Sequence, residues 1–112
     1  MSDDIFNAIY NKSLDLLSRR EHSSKEIREK LLLRFDDKVI INSVITKLEE
    51  NNLINDTRFA EAYVSSRKRK GFGPKKISFE LLSKGVSESV ANRIIDEEGG
   101  WKRAAKLAFT KK

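Results

Sequence analysis

Apolar side chains along this chain return every three or four positions, in runs separated by short polar or glycine-containing breaks, which is the pattern of amphipathic helices. Ile5, Ile9, Leu14 and Leu17 predict a first helix over Asp3 to Arg20, with Asp3 or Asp4 as its cap. The stretch Ser23-Ser24-Lys25-Glu26 has the form of a capping box, so a second helix starts there and carries Ile27, Leu31, Leu32 and Phe35. Asp36 and Asp37 supply cap and dipole chemistry for a third helix, whose stripe is Ile41, Val44, Ile45 and Leu48 and which ends at Asn51 and Asn52.

Displacing the sequence by fifty residues lays this pattern over itself. Lys25, Ile27, Leu31, Leu32, Asn42 and Ile45 recur as Lys75, Ile77, Leu81, Leu82, Asn92 and Ile95, while Leu14, Ile40 and Val44 recur as Val64, Val90 and Ile94. Arg19 and Arg20 fall on Arg69 and Lys70, and Ser23 falls on Gly73, which precedes Pro74 at a first helical position. In the second copy Gly85 is the left-handed terminator expected after Lys84, and Ser87 caps a last helix that stops at Gly99 and Gly100. The expectation is a three-helix repeat over 1–52, a second over 53–100, and over 101–112 the first helix of an incomplete third, with Trp101, Leu107 and Phe109 packed on the second unit or, if the chain is a fragment, covered by residues it lacks. Units this small bury little surface singly, so stacking into an elongated body is expected.

Composition agrees with an all-α fold: of 112 residues 36% are charged, and there are one proline and five glycines. The absence of cysteine excludes disulfides and thiolate chemistry. No apolar run approaches the ~18 residues of a membrane span, so no membrane partner is expected; the lack of cysteine fits a cytoplasmic location, and a monomer without cofactors is expected.

Charge changes the picture more. Residues 1–55 hold nine Lys/Arg and ten Asp/Glu, whereas 56–112 hold fourteen and seven, so the net +6 comes from the second half. Within it, Arg67, Lys68, Arg69 and Lys70 precede a glycine-bracketed corner and Lys75 and Lys76 follow it, with no acidic residue between Glu61 and Glu80. A basic run across a helix corner concentrates positive potential and attracts polyanions; the plainer reading is a solvated helix face. Phe72, between Gly71 and Gly73, reads either as a plug under the corner or as a ring for a base or a partner's pocket. Arg19 and Arg20 are the equivalent edge of the first copy, with His22 in the place of Phe72.

Little else carries chemistry. His22 stands without a second histidine or a cysteine and reads as a corner residue, not a metal ligand. Glu49/Glu50 and Glu97/Glu98 lie at helix ends without a partnered nucleophile, so no catalytic dyad is expected. Gly71-Phe72-Gly73-Pro74 lacks the lysine and hydroxyl of a phosphate-binding loop and follows a helix. The expectation is a binding protein, not an enzyme. Three-helix units also describe helix-turn-helix DNA readers, for which Asn42, Asn92 and Arg93 are the base-reading candidates.

One stretch resembles a known family. Asp56-x-x-Phe59-Ala60-x-x-Tyr63-Val64-x-x-Arg67, followed by Gly71-Phe72-Gly73-Pro74-x-x-Ile77-x-x-Glu80-Leu81-x-x-Lys84-Gly85-Val86, resembles the central repeat of the RecX family, bacterial regulators of the RecA recombinase. Ser18 to Ser23 with Leu31, and the junction Leu48 to Asp56, resemble its first repeat and linker. The resemblance implies tandem three-helix repeats in a curved body that lies in the groove of the RecA nucleoprotein filament and suppresses its ATPase, strand-exchange and coprotease activities. The family usually has a full third repeat, of which only the first helix is expected here. On this reading Arg67, Lys68, Arg69, Lys70, Phe72, Lys75 and Lys76, with Arg19 and Arg20, meet RecA or single-stranded or duplex DNA through its phosphates. The alternatives are a sequence-specific helix-turn-helix regulator and a basic domain that docks an acidic protein alone.

Overall fold

The computed structural model describes residues 2–101. It contains helices α1 (Ser2–Arg19), α2 (Ser24–Leu32), α3 (Lys38–Glu50), α4 (Asp56–Arg69), α5 (Pro74–Ser83) and α6 (Glu88–Glu98), with no strand among the described residues. The chain divides into two units between Asp56 and Thr57. The fifty-residue displacement is visible in the elements: α1 and α4 end at 19 and 69, α2 and α5 begin at 24 and 74, and α3 and α6 begin at 38 and 88.

Caps set these boundaries. The Ser23 hydroxyl accepts from the amide of Glu26 at 3.1 Å while the Glu26 carboxylate accepts from the amide of Ser23 at 3.2 Å, a complete capping box. Asp37 accepts from the Ile40 amide and Ser87 from the Val90 amide, each satisfying an amide that has no partner inside its helix. Gly73 offers α5 no side-chain cap, and Pro74 follows it at the first turn, where a missing N–H costs nothing.

Helix ends are equally explicit. At Asn52, Gly71 and Gly85 the chain turns left-handed, with φ of 58°, 93° and 88°. After each, the chain folds back in a Schellman motif: Leu53 N–H donates to Leu48 O, Phe72 N–H to Arg67 O and Val86 N–H to Leu81 O.

In unit one Ile9, Leu16, Ile27, Leu31, Ile41, Val44, Ile45, Leu48 and Ile54 form the core, with Phe6, Tyr10, Leu17, Phe35 and Ile40 against it. Unit two is built around Phe59, Ala60, Val64, Ile77, Leu81, Val86, Ala91, Ile94 and Ile95, with Tyr63, Phe72, Val90 and Trp101 against it.

The first helix departs from the expected stripe. It starts at Ser2, ahead of Asp3 and Asp4, so neither is its cap. Ile5 and Leu14 are 44% and 36% exposed, and the buried line is Ile9, Ser13 and Leu16. Five residues from Ile9 to Leu14 overshoot a helical turn, whereas four reach Ser13, whose hydroxyl donates to Ile9 O at 2.9 Å and is thereby tolerated in the core. Leu14 and Val64 therefore correspond in sequence but not in burial, since Val64 is fully enclosed. Leu32, expected in the core, is exposed. The expected helix over 101–112, with Leu107 and Phe109, lies outside the described residues except for Trp101.

Candidate functional site

The basic corner of unit two is shaped by the end of α4. Because Gly71 is left-handed, the Schellman turn returns Phe72 over Arg67, the position that in such motifs carries a hydrophobic contact. Here the contact is a cation on a ring: the Arg67 guanidinium carbon is 3.8 Å from the Phe72 centroid. The same guanidinium grips Glu80 on α5, with Nε to Oε1 at 3.1 Å and an Nη to Oε2 at 2.9 Å, and the Tyr63 hydroxyl donates to Oε1 at 2.9 Å. Burial alone pushes the Glu80 carboxyl up, but the hydrogen bonds from Arg67 and Tyr63 and the charges of Arg67 and Lys76 outweigh it and hold the group below its ordinary range. Arg67 is thus turned inward, joining α4, the corner and α5.

Lys68 is also engaged within the unit. Its Nζ donates to Gly99 O at 2.6 Å, lies 3.8 Å from Glu98 Oε2 and sits 5.3 Å from the centroid of Trp101, whose indole N–H donates to Ile95 O at 2.7 Å. An ammonium at the exposed carbonyls of a helix C-terminus is favourably placed against the helix dipole. It holds the end of α6 to α4.

Four of the six cations are left facing outward. Arg69, Lys70 and Lys75 are exposed and make no ion pair among the described residues, and exposed Lys76 has its Nζ 5.2 Å from the Phe72 centroid. Phe72 itself is half-buried against the core of unit two.

The corresponding corner of unit one is wired differently. Arg19 pairs with Asp15 at 3.0 Å, and Arg20 reaches both carboxylate oxygens of Glu26, at 3.1 and 3.3 Å, and the carbonyl of Glu21 at 2.8 Å. His22, in the place of Phe72, is buried; Lys30 Nζ donates to its Nε2 at 2.9 Å, so the neutral ring carries its proton on Nδ1 and donates to Arg20 O at 3.0 Å. Burial lowers the His22 pKa, and the charges of Arg20 and Lys30 lower it further against the opposing Arg20 carbonyl and Glu26.

Tyr63 and Glu80 stand in the sequence as positions of the family pattern without a role of their own, and Phe79 is not marked at all. Glu80 is legible as the acidic end of the basic run and as a position of that pattern, but not as the partner of Arg67. Phe79 carried a clear signal: it falls between Ile77 and Leu81, out of phase with the buried stripe of α5, and is 73% exposed.

The family description "RecX, first three-helix domain" matches residues 10–48, and "RecX, second three-helix domain" matches residues 55–94. The chain belongs to the RecX family. It is 38% identical to "Regulatory protein RecX" of Halorhodospira halophila over 84% of this chain and 59% of that one. Against the Regulatory protein RecX of Pseudomonas syringae the identity is 33%, over 94% of this chain and 68% of the relative. The crystal structure of RecX from Lactobacillus salivarius superposes with a TM-score of 0.79 at 31% identity, over 88% of this chain and 64% of that chain. The chain therefore spans about three fifths to two thirds of the length of these RecX relatives, of which the Halorhodospira and Pseudomonas proteins are named as regulatory proteins.

Proposed function

We propose that this RecX-family chain is a non-enzymatic regulator that binds the RecA nucleoprotein filament and restrains its ATPase and recombinase activity. In this reading it acts in the cytoplasm as a monomer, through repeats over 1–52 and 53–100 and the start of a third over 101–112. The observation that carries it is the match to both three-helix domains of a family of regulators. The outward cations of the second unit supply the chemistry: Arg69, Lys70, Lys75 and Lys76 surround one corner and meet acidic filament surface or DNA phosphate. Arg67 serves by holding that corner in shape, Lys68 by holding the end of α6 to α4, and Arg20 by holding the corner of the first unit through Glu26.

The test is RecA ATPase on single-stranded DNA with the folded full chain, alone and as the Lys75→Glu/Lys76→Glu variant. Inhibition by the chain, lost in the variant with its helical content intact, supports the reading. An ATPase rate that the unaltered chain leaves unchanged overturns it.

A further inference from the structure

The outward face of α5 carries a feature that fold stability does not use. Phe79 is 73% exposed, half-exposed Leu82 (42%) lies one turn further on, and Lys75 and Lys76 lie one turn before it. Residues three and four apart on a helix are neighbours on its surface, so Lys75, Phe79 and Leu82 form one line: cation, ring, apolar rim. Beside this line a shallow groove of about 300 Å³ is lined by Pro74, Lys75, Ser78, Asn92 and Ile95. Ile95 gives this lining an apolar side chain, and Ser78 and Asn92 give it a hydroxyl and an amide.

We propose that this face is a stacking platform for single-stranded nucleic acid, in which a base lies on the Phe79 ring and its neighbouring phosphates meet Lys75 and Lys76. It rests on the proposed function, and names the component of the filament that α5 touches. Charge argues for this occupant: Lys75, exposed and without an ion pair among the described residues, lies one helical turn before the ring, exposed Arg69 and Lys70 lie on the corner that precedes α5, and the second half of the chain holds fourteen Lys/Arg against seven Asp/Glu. A single ring bordered by cations suits a base with its phosphate, because every base offers a π-face and its backbone offers negative charge at the next bond. Duplex DNA keeps its base faces stacked on one another and presents only the phosphates. A protein partner would bury a broader apolar surface than one ring and one leucine, set among Lys75, Lys76 and Ser83.

The test is fluorescence anisotropy of the full chain with a labelled oligothymidylate and with a duplex of equal length, over a range of salt, with RecA ATPase measured in parallel. Phe79→Ala should weaken single-strand binding about 5- to 100-fold with the salt slope unchanged, since removing a ring releases no counterion. Phe79→Trp should restore it, duplex binding should be indifferent to both, and Lys75→Ala should flatten the single-strand slope by about 0.7. Phe79 is largely exposed, so these variants are expected to fold. Unaltered single-strand affinity in Phe79→Ala overturns the inference. If that variant loses RecA inhibition while still binding DNA normally, the ring docks protein, and the inference falls while the proposed function stands. Inhibition of RecA by a chain that binds no single strand has the same meaning. A Phe79-dependent single-strand affinity without RecA inhibition overturns the proposed function and leaves this platform in place.

Discussion

The Arg67 guanidinium carbon lies over the Phe72 ring, 3.8 Å from its centroid, while Nε and an Nη of the same group donate to the Glu80 carboxylate. A side chain that the charge pattern marks as a partner-binding cation is therefore committed inside the unit. It joins the end of α4, the turn after it and the middle of α5, and so fixes how Lys70 and Lys75 are presented on either side of the corner. The physical reason is geometric: a planar, always-charged fork can satisfy a carboxylate in two places and still offer its face to a ring.

Replacing Glu80 by Gln removes the charge from this junction and leaves Arg67 with a weaker acceptor. With both side chains about one-fifth exposed, the expected loss is about 1–2 kcal/mol, read from urea denaturation. The pH dependence has a definite sign. Because the folded carboxyl is held below its ordinary value of 4.5, its contribution is complete above that pH and is lost as acid carries the protein through the lower folded value. Glu80→Gln should be less stable than the parent at neutral pH and nearly equal to it in strong acid.

The first unit should respond in a different window. His22 is buried between the Arg20 carbonyl and the Lys30 ammonium, and its pKa is lowered from 6.5 chiefly by burial. The unfolded chain then binds the proton more tightly, so stability is full above pH 6.5 and declines as pH falls through that value toward the depressed one. Denaturation midpoints taken from about pH 7.5 to about pH 5.5 lie above the carboxylate range and isolate this group. His22→Phe, which installs the residue of the other corner, should flatten the profile over that interval.

At the corner itself the backbone conformation can be tested without disturbing any contact. Gly71 has φ of 93°, and a Cβ built there meets nothing within 4 Å. The cost of Gly71→Ala is then purely conformational, about 1–2 kcal/mol, and Gly71→Asn should recover part of it. An alanine variant as stable as the parent, by thermal or urea unfolding, would contradict the turn described here.

Much of this was legible in the sequence, and the parts that were not share a cause. The capping box at Ser23, the cap at Asp37, the terminator at Gly85 and the stripe from Ile41 to Leu48 are local, depending on residues within one or two turns of each other. The pairings that were not legible depend on partners farther away. Arg67 is thirteen residues from Glu80 and Lys68 thirty-one from Gly99, separations at which a charge pattern says nothing about pairing. Ser13 shows the same limit at short range: its polarity hides it from a count of apolar residues, although its hydroxyl finds Ile9 O and the side chain is fully buried. The outward cations at the corner were visible as a run, but only the fold separates those already engaged from those still available.

Lys68 and Lys70 make that separation measurable, since they are adjacent members of one run with opposite surroundings. Lys68 closes the C-terminus of α6 through Gly99 O, whereas Lys70 is exposed and makes no ion pair among the described residues. Lys68→Ala leaves the last carbonyls of α6 without their cation and should cost about 1–2 kcal/mol, with faster hydrogen exchange along α6. Its effect on polyanion binding should follow from that loosening and disappear when osmolyte restores stability. Lys70→Ala should leave stability within about 0.5 kcal/mol of the parent and instead lower the salt dependence of single-strand binding by about 0.7 in slope, as loss of one phosphate contact requires. Two neighbouring lysines with the same effect on both measurements would mean that the run acts only as a diffuse positive field, and that the inward turn of α4 selects nothing.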